Sequence, residues 1–270
     1  MMKDKRVLYV SSEVVPYLPE TEISSMSFEA PRIVNNSSGQ IRIFMPRYGN
    51  INERRHQLHE VIRLSGMNLT INDVDMPLII KVASIPKERM QVYFIDNEEY
   101  FKRKATYTDE DGNFFQDNDE RAIFFAKGVI ETVKKLNWSP DIIHVHGWLA
   151  SFLPLYLQKY YENEPLFENS KIITSVYNQG FSGTLQKNVL DKILFDGIDE
   201  GQVALLKDPT YVNMMKIAID NSDAVIVGSE EIPKELSAYL KDLKKPVLKY
   251  HKIDEIETAY LDFYQSQVLG

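Results

Sequence analysis

The chain has 270 residues, 44% of them hydrophobic and 26% charged, and its 31 basic against 39 acidic side chains give a net charge of −8. This is the composition of an ordinary globular chain, and its acidic balance argues against general binding to nucleic acid or to anionic membranes. Cysteine is absent, which excludes disulfides, thiolate nucleophiles and thiolate-ligated zinc, and none of the 12 glycines precedes Gly39, so the first strand-to-helix turn lacks the residue that phosphate loops favour.

The N-terminus is charged up to Arg6 and is followed by a four-residue apolar run, too short for a signal-peptide core. No stretch approaches the ~18 apolar residues of a membrane span, so the expected location is the cytoplasm. A β-branched run at 7–11 reads as a strand, broken at Pro16 and Pro19; a second lies at 41–45, closed by Pro46 and Gly49. Runs at 61–69, 78–83 and 91–95 read as a strand-rich insertion. Residues 118–136 carry Ile123, Phe124, Val129, Ile130 and Val133 at helical spacing. There follow a strand at 142–146, a helix at 149–161, a strand at 171–176, a helix at 212–220, a strand at 224–228 and a helix at 232–243. A short strand at 246–248 precedes a last helix at 253–267. Strands separated by helices predict βαβ units: an α/β, Rossmann-like, doubly wound and mostly parallel sheet with a small β-rich insertion.

In such sheets ligands sit outside the carboxyl ends of the strands. His144 and His146 alternate at one strand end, so both imidazoles share a face. They read as ligand-facing, as half of a metal site, or as histidines satisfied by neighbouring loops; without a third ligand no metal is expected. The acidic stretch from Asp109 to Glu120 places its glycine, Gly112, too early for a calcium loop, and reads instead as a loop ending in a helix capped by Asp117 or Asn118. Tyr177-Asn178-Gln-Gly180 follows a strand and suits either a sugar-lining loop or a plain turn. There is no dinucleotide, Walker or nucleophile-elbow motif, and no cofactor is expected.

Taken together, the motifs resemble the N-terminal half of bacterial glycogen synthases and plant starch synthases, glycosyltransferases of family 5. The chain has Val10-Ser-Ser-Glu13-Val-Val-Pro16-Tyr where the family has V-S-S-E-V-A-P-F, and Ile41-Arg-Ile-Phe-Met-Pro46-Arg-Tyr-Gly49 where it has V-R-V-I-L-P-R-Y-G. Tyr100-Phe101, Asp117-Asn118-Asp-Glu120-Arg121, Trp138-Ser-Pro140 through His146-Gly147-Trp148, Asn213 to Lys216 and Ser222 to Ser229 resemble further family elements in the same order. The resemblance implies the GT-B fold, two Rossmann-like domains with the site between them, and transfer of glucose from a nucleotide sugar to an α-1,4-glucan. It implies that Asp117, Asn118, His146, Trp148, Tyr177 and Asn178 lie near a sugar.

The chain departs from the family at that site. The family's donor-phosphate loop K-T-G-G falls on Pro19, Glu20, Thr21 and Glu22, where two carboxylates would repel a diphosphate by roughly 1 to 4 kcal/mol per contact at ~4 Å. The final His of H-D-W-H is Leu149, and the His of the family's H-N is Tyr177. The expected organisation is a single N-terminal-type domain over 1–250, a C-terminal helix over 251–270 packing back on it, and no second GT-B domain. A relative of this kind is expected to bind a glucan, a sugar or a protein partner without being competent alone. The alternative is a glucosyl transferase completed in trans. The partners expected are a glucan or nucleotide sugar and a second copy or separate synthase-like chain, with no nucleic acid and no membrane.

Overall fold

The computed structural model describes residues 2–270. In chain order it comprises β1 (Arg6–Ser11), α1 (Glu22–Asn36), β2 (Gln40–Pro46), α2 (Glu53–His56), β3 (His59–Glu60), β4 (Met67–Ile71), β5 (Val74–Ser84), β6 (Gln91–Asp96), α3 (Glu98–Phe101) and α4 (Asn118–Lys135). The second half comprises β7 (Ile142–His146), α5 (Leu153–Lys159), β8 (Lys171–Val176), α6 (Val189–Phe195), α7 (Glu200–Val203), α8 (Tyr211–Asp220), β9 (Ala224–Val227), α9 (Lys234–Lys241), β10 (Val247–Leu248) and α10 (Ile256–Phe263). The sheet order is β10-β9-β8-β7-β1-β2-β6-β5-β3, with β4 paired to β5. It is parallel from β10 through β6, and β5 then runs antiparallel to β6, β3 and β4. The chain adds strands outward from β1 through β2 to β6, then returns to β7 and builds the other way. The switch point lies between β1 and β7, where an open α/β sheet offers a crevice.

The expected doubly wound architecture is present, with three local corrections. β6 belongs to the parallel sheet beside β2, not to the insertion. Its residues Val92–Ile95 are buried, and a strand covered on both faces reads as a plain apolar run whichever sheet it joins. The run at 61–69 is a turn at 61–64, closed by Leu64 N–H donating to Val61 O at 2.9 Å, and only then a strand. The sequence reading assigned nothing to α1. Pro16, Pro19 and Pro31 mask it, yet Ile23, Met26, Ala30, Ile33 and Val34 form one buried stripe against the sheet.

Two buried lysines fix α4 through ion pairs. Lys127 meets Asp196 at 2.6 Å, and Lys192 meets Asp119 at 2.6 Å and Glu120 at 2.8 Å. The last helix is shorter than expected and ends in a π-turn (Tyr264–Val268). That turn lies over β1 and β7: Tyr264 Oη is 2.7 Å from His144 Nδ1 and 3.4 Å from Tyr9 Oη. Among the described residues, no helix is long and apolar enough to cross a membrane.

Candidate functional site

β1 ends at Ser11, and Ser12 and Glu13 follow it at the switch-point crevice. Glu13 is buried, and its carboxylate accepts from Thr21 Oγ1 at 2.8 Å, Tyr107 Oη at 3.0 Å and Gln179 Nε2 at 3.0 Å to each oxygen. All of these donors are neutral. Glu13 therefore ties together the end of β1, the start of α1, the long loop before α4 and the loop after β8. Across the crevice, β7 ends at His146 and turns through Gly147 with φ +82, a conformation that favours glycine. A Cβ there would also lie 2.4 Å from Ser12 Oγ, so the Asp of the H-D-W-H pattern does not fit this turn.

The candidate residues separate into two groups. Around Tyr107, Asn118 is fully buried, donates Nδ2–H to Tyr107 O at 2.9 Å and accepts from Arg121 Nη1 at 2.5 Å. Trp148 is 2% exposed, with ring centroids 4.9 Å from Tyr107, 5.4 Å from Phe114 and 5.0 Å from Phe181. Phe114 and Phe181 stack on each other at 4.9 Å, so the protein's own rings cover the indole.

The second group lies beneath α10. His146 is fully buried with its ring centroid 4.0 Å from that of His144, and its Nδ1 is 2.7 Å from Tyr177 Oη. Burial pushes the His146 imidazole down to about 3; burial and the neighbouring imidazole hold His144 well below the ordinary range. His144 is engaged on both ring nitrogens, by Tyr264 and by Ser175 Oγ at 2.7 Å, whereas His146 Nε2 has no partner among the described residues. The pair shares a face as expected, but that face is turned to Tyr177 and Tyr264.

Asp117 and Asn178 stand apart. Asp117 occupies the N-cap position of α4 without the expected capping bond; its carboxylate makes a bidentate pair with Arg103 at 2.9 and 2.7 Å. A charged fork offers a carboxylate more than one backbone N–H does. The Asn118 side chain, engaged with Tyr107 and Arg121, does not cap the helix either. Asn178 is exposed and lines a cleft of about 390 Å³ with Phe181, Thr210 and Tyr211.

Pro19, Glu20, Thr21 and Glu22 form the entry to α1. Thr21 is its N-cap, with a reciprocal capping box to Ser24 at 3.0 Å and 2.8 Å. Glu22, the first helical residue, accepts from Ser229 Oγ at 2.5 Å, and Glu20 is exposed. Both carboxylates lie where the helix dipole favours negative charge. A cleft of about 290 Å³ opens here between Glu20, Glu22 and Met26 on one side and Tyr250, His251 and Ile253 on the other.

The sequence reading did not single out Glu13, Tyr107, Gln179, Phe114 or Phe181. Glu13 carried a signal, being a carboxylate at a strand end between apolar runs. The other four sit in loops whose meeting is decided only by the fold.

A family model for the starch synthase catalytic domain matches residues 6–245. The chain belongs to this starch synthase catalytic domain family. Among curated relatives, the glycogen synthase of Chlorobium luteolum is 36% identical over 229 residues, covering 84% of this chain and 46% of that protein. The glycogen synthase of Chlorobium limicola is 35% identical over 232 residues, covering 86% and 47%. The chain thus spans about half the length of the curated relatives it matches. The fold is similar to that of the catalytic domain of starch synthase IV from Arabidopsis thaliana bound to ADP and acarbose. That likeness has a TM-score of 0.69 at 19% identity, over 83% of this chain and 45% of that one. The open α/β fold around the crevice is thus one that a starch synthase catalytic domain also has.

Proposed function

We propose that this domain is a non-catalytic member of the starch synthase family that binds glucan, acting as a single Rossmann-like unit closed by its C-terminal helix. The observation that carries the reading is the entry to α1. Where the family pattern has a lysine and two glycines for the donor's phosphates, Pro19, Glu20, Thr21 and Glu22 form a capped helix start with two carboxylates. Transfer from a nucleotide sugar builds charge on the departing diphosphate, and preorganised positive charge there is usually the largest contribution to catalysis. This entry supplies the opposite sign, and Glu13 adds a buried carboxylate bound only by neutral donors. An uncharged polyol meets no such penalty, and the Asn178, Phe181 and Tyr211 cleft offers a polar group beside aromatic faces.

Affinity electrophoresis in glycogen gels tests the reading: retarded mobility is expected, diminished by Phe181→Ala, together with no heat of binding for ADP or UDP. Unretarded mobility refutes glucan binding. Elongation of glycogen from ADP-glucose by the isolated protein refutes the non-catalytic reading.

The second reading is glucosyl transfer completed in trans. It is favoured by the match of residues 6–245 to the starch synthase catalytic domain and by the switch-point crevice that the sheet retains. Activity that appears only on mixing with the C-terminal half of a glycogen synthase would support it.

A further inference from the structure

At the sheet edge formed by β10, α9 overhangs the last strand and leaves a groove of about 870 Å³. Its apolar floor includes Val227, Ile232, Leu240 and Val247. One wall is the α9 face carrying Lys234, Ser237, Ala238 and Lys241, positions that share a helical stripe; the other is β10 with Lys249. None of these residues belongs to the candidate sugar site, so the groove stands independently of the function proposed above.

Among the described residues no strand pairs with the outer side of β10. Val225 N–H donates to Pro246 O at 3.0 Å, so residues 246 and 248 address β9. In a parallel ladder the alternate residues address the other side, so Val247 and Lys249, which line the groove, turn their backbone groups away from β9 to the open edge. Residues 241–252 carry five lysines against one aspartate in a chain of net charge −8. Lys245 is engaged with the carbonyls of Ile219, Asp220 and Ser222. Among the described residues, Lys234, Lys241, Lys244, Lys249 and Lys252 make no ion pair with Asp or Glu. The β10 wall lies beyond the stretch that the family model matches, which ends at residue 245.

We propose that this groove takes an extended, acidic segment of another polypeptide as an added strand, with main-chain bonds to Val247 and Lys249 and acidic side chains against the lysines. A second copy of the chain is the poorer occupant. Two-fold pairing of this edge with itself would set its lysines against one another, and a short, lysine-bearing edge strand is the usual defence against self-pairing. The same lysines attract an acidic strand. Glu230 and Glu231, which line the groove just before α9 begins, disfavour acidic residues at that end.

The probe is a fluorescein-labelled heptapeptide of alternating Val and Glu, followed by fluorescence anisotropy. Micromolar binding is expected, weakening as salt is raised. It should fall at least about tenfold in Ala238→Trp, which fills the groove from an exposed position, and in Lys241→Glu/Lys249→Glu, both exposed. Methylating alternate peptide nitrogens should abolish it. Equal binding of the Val and Lys counterpart overturns the proposal, as does binding that survives N-methylation or absence of binding at millimolar peptide. Light scattering at twice the 31.3 kDa chain mass, lost in Ala238→Trp, would overturn it by assigning the groove to a second copy.

Discussion

Replacing Glu13 with alanine removes the acceptor that three loops share. The Thr21 hydroxyl, the Tyr107 hydroxyl and the Gln179 amide all lose their partner at once. Water entering the space left behind satisfies part of this, so the low end of the cost of a stranded donor, about 1 kcal/mol each, gives about 3 kcal/mol in total. Unfolding entropy of about 2.1 cal/mol/K per residue over 270 residues is about 0.57 kcal/mol/K, so Tm should fall by about 5 °C. The isosteric Glu13→Gln keeps one acceptor oxygen. Its own amide can face a hydroxyl that rotates to accept, which leaves only one donor stranded, a cost of about 1 kcal/mol or about 2 °C. Differential scanning calorimetry of the three proteins checks the ranking. An alanine variant that melts with the parent, or a glutamine variant as unstable as the alanine one, would refute the view of Glu13 as the brace across the crevice.

Acid should loosen the fold through the buried histidine pair. Both imidazoles are held below their unfolded value of about 6.5, so the unfolded chain binds more protons below that pH, and stability present above it is lost as pH falls. Two such groups imply a loss of about 2.5 kcal/mol between pH 7 and pH 5.5; urea midpoints that do not move over this range would contradict it. Asp196→Ala removes the counter-charge of the Lys127 ammonium, which keeps only Thr70 O at 2.9 Å, and strands the Tyr156 hydroxyl, both 2.6 Å from the two carboxylate oxygens; it should cost about 3–5 kcal/mol by chemical denaturation. The apolar pair Lys127→Met/Asp196→Leu should cost less than that single change. Gly228→Ala places a Cβ 2.3 Å from the Tyr177 ring, which its bond to His146 holds in place; the expected loss is about 1–3 kcal/mol, whereas Gly183→Ala meets no atom within 4 Å and is strained only by its φ of +77. Comparable melting of these two variants would show that the Tyr177 ring yields.

Most of the parallel strands were legible because each is a short apolar run bounded by turn residues, and the long periodic helix α4 was legible from its stripe. α1 was not: three prolines and a string of serines hide a stripe that only the sheet beneath it makes evident. Placing β6 in the insertion failed for a related reason, since the side chains of a doubly covered strand do not record which strand lies beside it. At the site, the sequence located Asp117, Asn118, His146, Trp148, Tyr177 and Asn178 at strand and helix ends. It did not show what their side chains bond to. Asp117 looked like a cap because carboxylates cap helices, and Arg103, 14 positions earlier, is a partner that only the folded loop brings within 2.7 Å.

The sequence by itself determined the α/β class and the family, and set Pro19, Glu20, Thr21 and Glu22 after the first strand, because periodicity and residue type are local properties. The tertiary structure decided the rest. Glu13, Thr21, Tyr107 and Gln179 span 166 positions, yet they share one carboxylate. The histidine pair faces a C-terminal helix, and a lysine-rimmed groove lies at the sheet edge. Each of these depends on which segments lie side by side, and hydrogen bonding and burial between distant segments leave no period in the chain to read.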